Sequence, residues 1–500
     1  MKPSSTRKTS AVAVLGLIAM ALAAWVGHVT ASDDSQRVSA ATVRITTIAS
    51  NPDYSKPWQS KGTETSTGSG AIIAGQRILT NAHVVACAAS IEVKRPGLQK
   101  SFLARVEHID HGSDLALLSV EDRSFFEGVT PLDLGTLPAL ESEVTAHGYP
   151  IGGETVSASS GVVSRLEHDT YAHGQRDLLL AQIDAALNPG NSGGPVVSGG
   201  KIVGVAMQTL EDSENIGYVI PAPVIERFLN DAADGTVAGT PNLGAYCLPI
   251  ENEALREYLG LQPEQGGSIV VDVAYGSSAW GKLQQDDVLL AIDGVAIAGD
   301  CSVPLARGSR IAFQYLVEKK QVGGVAELTI WRDKAKQAVS VMLSRTDPQV
   351  PLPGYPARIP YRVIGGLVFQ PADWSYLESL GTNIPSNLYH LASSVALPTE
   401  QRRELILLTS VLPHRVNRGY QEWALDVVET VQGVPVKDFE HFNSLLDGAS
   451  GKWLNVTMDD KSRLVMALAA VRSANQEILD TFSIPQDRWP STTRVNVASQ

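Results

Sequence analysis

A mainly β chain built from several domains is what this sequence predicts, and three observations carry the prediction. Between residues 46 and 220 short β-like runs alternate with Gly, Asn, Asp and Pro. They include Ala71-Ile-Ile-Ala74, Ile78-Leu-Thr-Asn81, Ile91-Glu-Val-Lys94, Leu115-Ala-Leu-Leu-Ser-Val120, Ile202-Val-Gly-Val-Ala-Met207 and Tyr218-Val-Ile220. Regular short strands with turn signals between them point to a barrel or a sandwich. No strand–helix–strand alternation is visible, which disfavours a doubly wound parallel sheet. Finally, 500 residues are too many for one core, so about three domains are expected.

The N-terminus stands apart. Lys2, Arg7 and Lys8 precede an unbroken apolar block, Ala11 to Gly27, and no acid occurs before Asp33. Val29-Thr30-Ala31 offers a small-residue cleavage site, so residues 1–31 read as a secretory signal, and the mature chain is expected in a periplasmic or otherwise extracytoplasmic compartment. Seventeen apolar residues are at the short end of a membrane span, so an uncleaved anchor, tethering the protein to the membrane, is the alternative. Residues 32–45 read as a polar linker. The first domain is expected over 46–231, closed by a helix at Pro223–Asp231, and 232–242 (AADGTVAGTPN) reads as a small-residue linker. A second unit covers 244–345. The proline-dense stretch 346–360 should be stiff and extended, and a third unit covers 361–490. The last two units share a pattern: Ile292-Asp-Gly-Val-Ala-Ile297 matches Val431-Gln-Gly-Val-Pro-Val436, the two glycines lying 139 positions apart.

Composition narrows the function. A net charge of −13 argues against a nucleic-acid surface, where a basic face is expected. The three cysteines, Cys87, Cys247 and Cys301, have no zinc spacing, so neither a metal nor a cofactor is implied. At most one disulfide forms, with Cys247–Cys301 the candidate.

The chemistry gathers around Asn188-Pro-Gly-Asn-Ser-Gly-Gly-Pro195. Glycine lets backbone amides turn toward a ligand and proline fixes the approach of the chain, a combination suited to presenting Ser192 with its neighbouring N–H groups. Acyl transfer through serine also needs a base, an orienter for that base and donors for the oxyanion. Leu79-Thr-Asn-Ala-His-Val-Val85 places His83 just after a β-like run. Ser113-Asp114-Leu-Ala-Leu-Leu118 places Asp114 at the head of an apolar run, where an acid is partly buried. Gly190–Gly194 also satisfies GxSxG, the nucleophile elbow of α/β-hydrolases, but that elbow needs a helix after the serine, and Gly193, Gly194 and Pro195 oppose one. His108, His111, His147, His168 and His173 form no metal motif and read as loop residues.

The motifs LTNAHVV, SDLALL and NPGNSGGP, in that order, resemble the Deg/HtrA branch of trypsin-like serine proteases. Gly148–Gly152, Gln182–Ala186 and Asn215–Pro221 extend the resemblance across the first domain. It implies two packed six-stranded β-barrels with the site between them, His83 as general base and acid, Asp114 as its orienter, Ser192 as nucleophile and the amides of Gly190, Asn191 and Ser192 as the oxyanion loop. Six residues before the nucleophile, Ala186 would floor the specificity pocket beside Met207 and Ile216, so cleavage after small or aliphatic residues is expected. Asn191 occupies the place of the acid that captures a new N-terminal ammonium in trypsin-like zymogens, and a neutral amide offers no such ion pair.

The second and third units resemble the two PDZ domains of plant-type Deg proteases. PDZ domains bind peptide C-termini by adding a strand to a sheet edge. The corresponding loop of the first falls near Tyr246–Ile250 and departs from the usual glycine-containing form, whereas Ile364-Gly365-Gly366-Leu367 of the second fits it. The resemblance implies an ATP-independent endopeptidase that cleaves unfolded or damaged proteins, assembled as a trimer or a higher multiple. The alternative is a largely latent protease acting as a peptide-binding chaperone.

Overall fold

The computed structural model describes residues 34–209, 216–262, 264–306, 308–393 and 397–489. The apolar block and its expected cleavage site lie outside the described residues. Among the described residues no helix is long and apolar enough to cross a membrane.

Six strands close the first barrel: β1 (Thr42–Pro52), β2 (Ser60–Ile73), β3 (Arg77–Thr80), β4 (Ala88–Lys94), β5 (Phe102–Asp110) and β6 (Leu115–Val120), in the order β1-β2-β3-β6-β5-β4. Six more close the second: β7 (Glu143–Gly148), β8 (Ser157–Tyr171), β9 (Arg176–Ile183), β10 (Pro195–Ser198), β11 (Lys201–Thr209) and β12 (Gly217–Pro221), in the order β10-β11-β12-β9-β8-β7. The apolar runs singled out above fall on β2, β3, β4, β6, β11 and β12. Leu115–Leu118 is buried at every position rather than at alternate ones, because β6 is covered on both faces. The predicted closing helix is present as Ala222–Asp231, and a strand, not a helix, follows Ser192, so the elbow geometry is absent.

The second unit is a sheet of β13 (Ala245–Pro249), β14 (Ser268–Val273), β15 (Val288–Ile292), β16 (Val295–Ala296), β19 (Val325–Arg332) and β20 (Ala335–Met342), with β17 (Ser302–Pro304) and β18 (Arg310–Ala312) pairing separately. The third holds β21 (Tyr361–Ile364), β22 (Leu367–Pro371), β23 (Ile406–Val411), β24 (Asp426–Val431), β25 (Val434–Pro435), β26 (Trp453–Met458), β27 (Arg463–Ala467) and β28 (Arg488–Trp489) in one sheet. The repeated sequence pattern has a structural counterpart. Ile292 pairs Val295 across Asp293 and Gly294 (φ +49° and +79°), and Val431 pairs Val434 across Gln432 and Gly433 (φ +52° and +79°). Positive φ at both central residues is the signature of a type I′ hairpin.

One expectation about connecting segments is corrected, and two other connecting segments prove to be packed down. Residues 34–41 are helical rather than a loose linker. Val38 and Ala41, three positions apart and so on one face of the helix, are buried, and Arg37 Nη2 donates to the Gly200 carbonyl at 2.7 Å. In 232–242, Val237 and Thr240 are buried and Asp231 accepts from the Gly239 N–H at 2.8 Å. The 346–360 stretch buries Gln349, Val350 and Ile359 against the third unit. Local composition reported turns and breaks correctly in the last two and missed the helix in the first. What holds them down is burial against distant segments.

Candidate active site

The loop Asn188–Pro195 is seated by the first barrel. Ser69, on β2, donates its hydroxyl to the Gly190 carbonyl at 2.7 Å and accepts from the Tyr149 N–H at 2.8 Å. The Ser69 N–H donates to the Ser192 carbonyl at 2.7 Å, and Thr80 Oγ1 holds the Ser69 carbonyl at 2.7 Å. This explains the glycines. Gly190 (φ +98°) and Gly193 (φ +84°) lie in the left-handed region, and a Cβ would overlap the Tyr149 carbonyl oxygen at the first and the Ser69 carbonyl oxygen at the second. Sequence reasoning missed Ser69, whose only local signal is the Gly68-Ser69-Gly70 pattern within a strand.

His83 and Asp114 are brought together. β3 delivers Asn81 and then the short helix Ala82–Val85, while the turn between β5 and β6 delivers Asp114 at φ +52°. Asp114 is fully buried, and its two oxygens are both used: Oδ2 meets His83 Nδ1 at 2.7 Å, and Oδ1 accepts from the His83 N–H at 2.8 Å. Asn81 Nδ2 donates to the Asp114 carbonyl at 2.9 Å, fixing the turn against the helix. Burial works against charge on the carboxyl, but the His83 ring and the hydrogen bonds around it hold Asp114 below the usual carboxylate range. Burial also opposes charge on His83, and the Asp114 charge and hydrogen bond outweigh it, so the imidazole pKa is raised above its ordinary 6.5. With Nδ1–H bound to an ionised acid, Nε2 carries the lone pair.

Ser192 is not joined to this pair. Its hydroxyl donates to the Met207 carbonyl at 3.0 Å, and no hydrogen bond joins it to His83 among the described residues. The oxyanion expectation is corrected at one position: the Asn191 N–H is spent on the Asn188 carbonyl at 2.9 Å. Among the described residues neither the Gly190 nor the Ser192 N–H donates within the protein, so these two amides remain for a ligand. The pocket residues separate by depth. Ala186 is exposed, Met207 buried and Ile216 half-buried. A Cβ on Gly217 would come 2.7 Å from Leu187, so the 185–187 and 216–217 segments face each other. The adjacent acid, Asp184, is turned away and accepts from the Val162 N–H at 2.6 Å.

Other site expectations change. His108, His147 and His168 lie on β5, β7 and β8 rather than in loops. His111 and His173 do lie in turns, half-buried, with the His173 ring 6.0 Å from the His83 ring. Cys247 and Cys301 are free thiols, and burial, together with Cys301 nearby, pushes Cys247 up to about 12. At Ile364–Leu367 the strand edge is closed: β22 pairs with β21 on one side and β23 on the other. The Gly365 N–H is also taken, by Asn475 Oδ1 at 3.0 Å.

The Asp114 turn rests on a buried ion pair that sequence reasoning also missed. Asp110 accepts from Arg227 at 2.8 Å, from Ser113 Oγ at 2.7 Å and from the Gly112 N–H at 3.0 Å. Burial alone would raise the Asp110 pKa, but the Arg227 guanidinium holds it down at about 2. Arg227→Met therefore strands a buried carboxylate and is expected to cost about 3–5 kcal/mol, read as a lowered denaturation midpoint. Adding Asp110→Asn removes the stranded charge and should recover part of the loss. Because the folded pKa lies below the unfolded one, this contribution is present above the ordinary carboxylate pKa and is lost as pH falls through about 2.

Residues 68–205 match the family model of the trypsin-like peptidase domain, and residues 350–491 that of the PDZ domain. Protease Do-like 2, chloroplastic, of Arabidopsis thaliana is 37% identical over 452 residues, spanning 90% of this chain and 74% of that protein. The chain belongs to the Do-like, or Deg/HtrA, family of trypsin-like serine proteases. Protease Do-like 4, mitochondrial, of the same plant is 34% identical, spanning 89% of this chain and 83% of that one. The solved HtrA-type protease AlgW with tripeptide is 25% identical, with a TM-score of 0.50, and the match covers 63% of this chain and 98% of that one. This Do-like protease is therefore a serine endopeptidase with a double-barrel protease domain and a PDZ domain.

Proposed function

We propose that this Do-like protease cleaves unfolded or damaged proteins after small or aliphatic residues, in an extracytoplasmic compartment, with Ser192 as nucleophile, His83 as general base and acid, and Asp114 as its orienter. The observation that carries the reading is the His83–Asp114 pair, joined by two hydrogen bonds, on a segment next to a loop whose Gly190 and Ser192 amides are uncommitted among the described residues: a Cβ on Gly193 would lie 3.2 Å from the Asn81 nitrogen. In the reaction the Ser192 hydroxyl turns from the Met207 carbonyl to His83 Nε2 and loses its proton there as Oγ bonds the scissile carbonyl carbon. The carbonyl oxygen gains the negative charge and receives the two amides. His83 then gives the proton to the leaving amine as the C–N bond breaks, and water repeats the sequence to release the acyl group.

An unfolded chain can lie extended in the cleft and a folded one cannot, so substrate stability gates cleavage. The specificity follows from Ala186 and from the orientation of Asp184 toward Val162, which leaves no carboxylate there among the described residues to pair with Lys or Arg. Incubation of the protein with one substrate, folded and unfolded, followed by mapping of the cut sites, is expected to give cleavage of the unfolded form after Val, Ala, Ile or Leu. Cuts after Lys or Arg would reject the pocket assignment.

Peptide capture moves from the third unit to the second. Among the described residues its β13 pairs only with β14 and leaves its other edge free, and Gly244 precedes it at φ +66°. Beside it opens a cavity of about 240 Å³ lined in part by Leu243, Ala245, Phe313 and Val317. An apolar C-terminal side chain fits that lining, with the peptide backbone added to β13. The assembly proposed is a trimer or a higher multiple, which light scattering measures directly.

A further inference from the structure

The 346–360 stretch does more than separate two units: it turns Tyr355 toward the first barrel. Tyr355 sits at φ +44°, a left-handed backbone that a bulky residue holds only where its surroundings impose it, at a cost of about 1–3 kcal/mol. Its ring stacks on His173, with centroids 4.1 Å apart and planes 12° from parallel, and lies 4.8 Å from the His111 ring. Its hydroxyl donates to the His173 carbonyl at 3.0 Å, and the Cys87 thiol faces its carbonyl oxygen at 3.9 Å.

Each of these neighbours belongs to a segment around the His83–Asp114 pair. Cys87 follows closely on the helix that carries His83. His111 opens the turn that ends on Asp114. The His173 ring, from the β8–β9 turn, lies 6.0 Å from the His83 ring. His111 Nδ1 and His173 Nε2 share a hydrogen bond of 2.9 Å. Burial pushes both imidazoles down, His111 to about 4 and His173 to about 3, so both stay neutral and leave Asp114 to His83.

The linker is anchored on both sides of this contact. Asp347 meets Arg176 of the second barrel at 3.6 Å. Farther along, Val350 and Ile359 pack with Tyr376, Leu377 and Leu405 of the third unit, and the Trp374 N–H donates to the Pro351 carbonyl at 2.9 Å. The place of Tyr355 is therefore set by how the third unit is docked.

We propose that Tyr355 is a positioning residue for proteolysis: by backing His173 and gripping the Cys87 and His111 segments, it makes the alignment of His83 with Asp114 depend on the docked C-terminal unit. The inference rests on the triad assigned under Proposed function. The test is the steady-state kinetics of the full chain on casein, alongside its thermal midpoint. Tyr355→Ala is expected to lower kcat by about tenfold to a hundredfold, the effect of shifting a catalytic group by roughly 1 Å, with KM little changed. Tyr355→Phe keeps the stacking ring, loses only the hydroxyl, and should recover most of the rate.

A role confined to stability would lower the thermal midpoint and leave kcat per folded molecule as it was. An alanine variant with wild-type kcat overturns the proposal, and so does a phenylalanine variant as impaired as the alanine one. Turnover surviving in Ser192→Ala would instead overturn the triad beneath it, so the two failures are told apart.

Discussion

Ser192→Ala is expected to lower turnover of an unfolded substrate by about 10⁶, the scale on which losing one triad member acts. The substitution removes one oxygen and little else. Among the described residues the Ser192 hydroxyl's one partner is the Met207 carbonyl, and the net worth of such a bond is about 1 kcal/mol. The backbone bond from the Ser69 N–H to the Ser192 carbonyl, and the Ser69 hydroxyl's hold on Gly190, do not involve the deleted atom. The loop thus keeps its shape, the two free amides stay in place, and the variant should bind substrate without cutting it. Casein digestion followed by gel and mass spectrometry measures the outcome, and an undiminished rate would remove Ser192 from the chemistry. The same variant should lose its reaction with a fluorophosphonate, which needs the activated hydroxyl and not the substrate cleft.

The three residues proposed for this chemistry are readable in the chain because each arrives with a local pattern. His83 follows a short apolar strand, Asp114 heads an apolar run, and Ser192 lies among glycines whose left-handed φ values only that residue type adopts readily. The double barrel is readable for a related reason: strand periodicity and turn chemistry are local properties. The supports were hidden because they act across long separations. Ser69 reaches Gly190 over 121 residues, Arg227 reaches Asp110 over 117 and Tyr355 reaches His173 over 182.

Nothing in the neighbours of Arg227 or Tyr355 distinguishes them from a helix-surface arginine or a linker tyrosine. Residues 34–41 were misread for the mirror reason. Their polar composition is real, but Val38 and Ala41 find a distant surface to cover. The glycine pair at 365–366 shows a different limit. Sequence identifies a tight turn there, and it does not say which strand will lie alongside β22. The chain's own β21 fills that edge, while β13, whose approach loop looked less suited, keeps an edge open among the described residues.

Asp114→Asn is expected to lower kcat/KM by about 10⁴ at neutral pH while leaving the fold intact. The size follows from how both carboxylate oxygens are used. The His83 backbone N–H is an obligatory donor and points at Oδ1, so in the variant the single amide oxygen goes to it and the NH₂ is left facing His83 Nδ1. An amide NH₂ donates and cannot accept a hydrogen bond from Nδ1–H. The ring takes the other tautomer, and Nε2 then carries hydrogen and cannot receive the Ser192 proton.

The pH profile separates this account from simple misfolding. In the parent protein His83 must be neutral to act as base, and its pKa is raised above 6.5, so activity falls as pH drops through a value above 6.5. Both raising influences, the charge and the hydrogen bond, come from Asp114, whereas burial lowers the pKa. Removing the carboxylate leaves burial alone. The acidic limb of the residual activity should move to lower pH, and a limb that stays where it was would mean that Asp114 does not hold His83 during turnover.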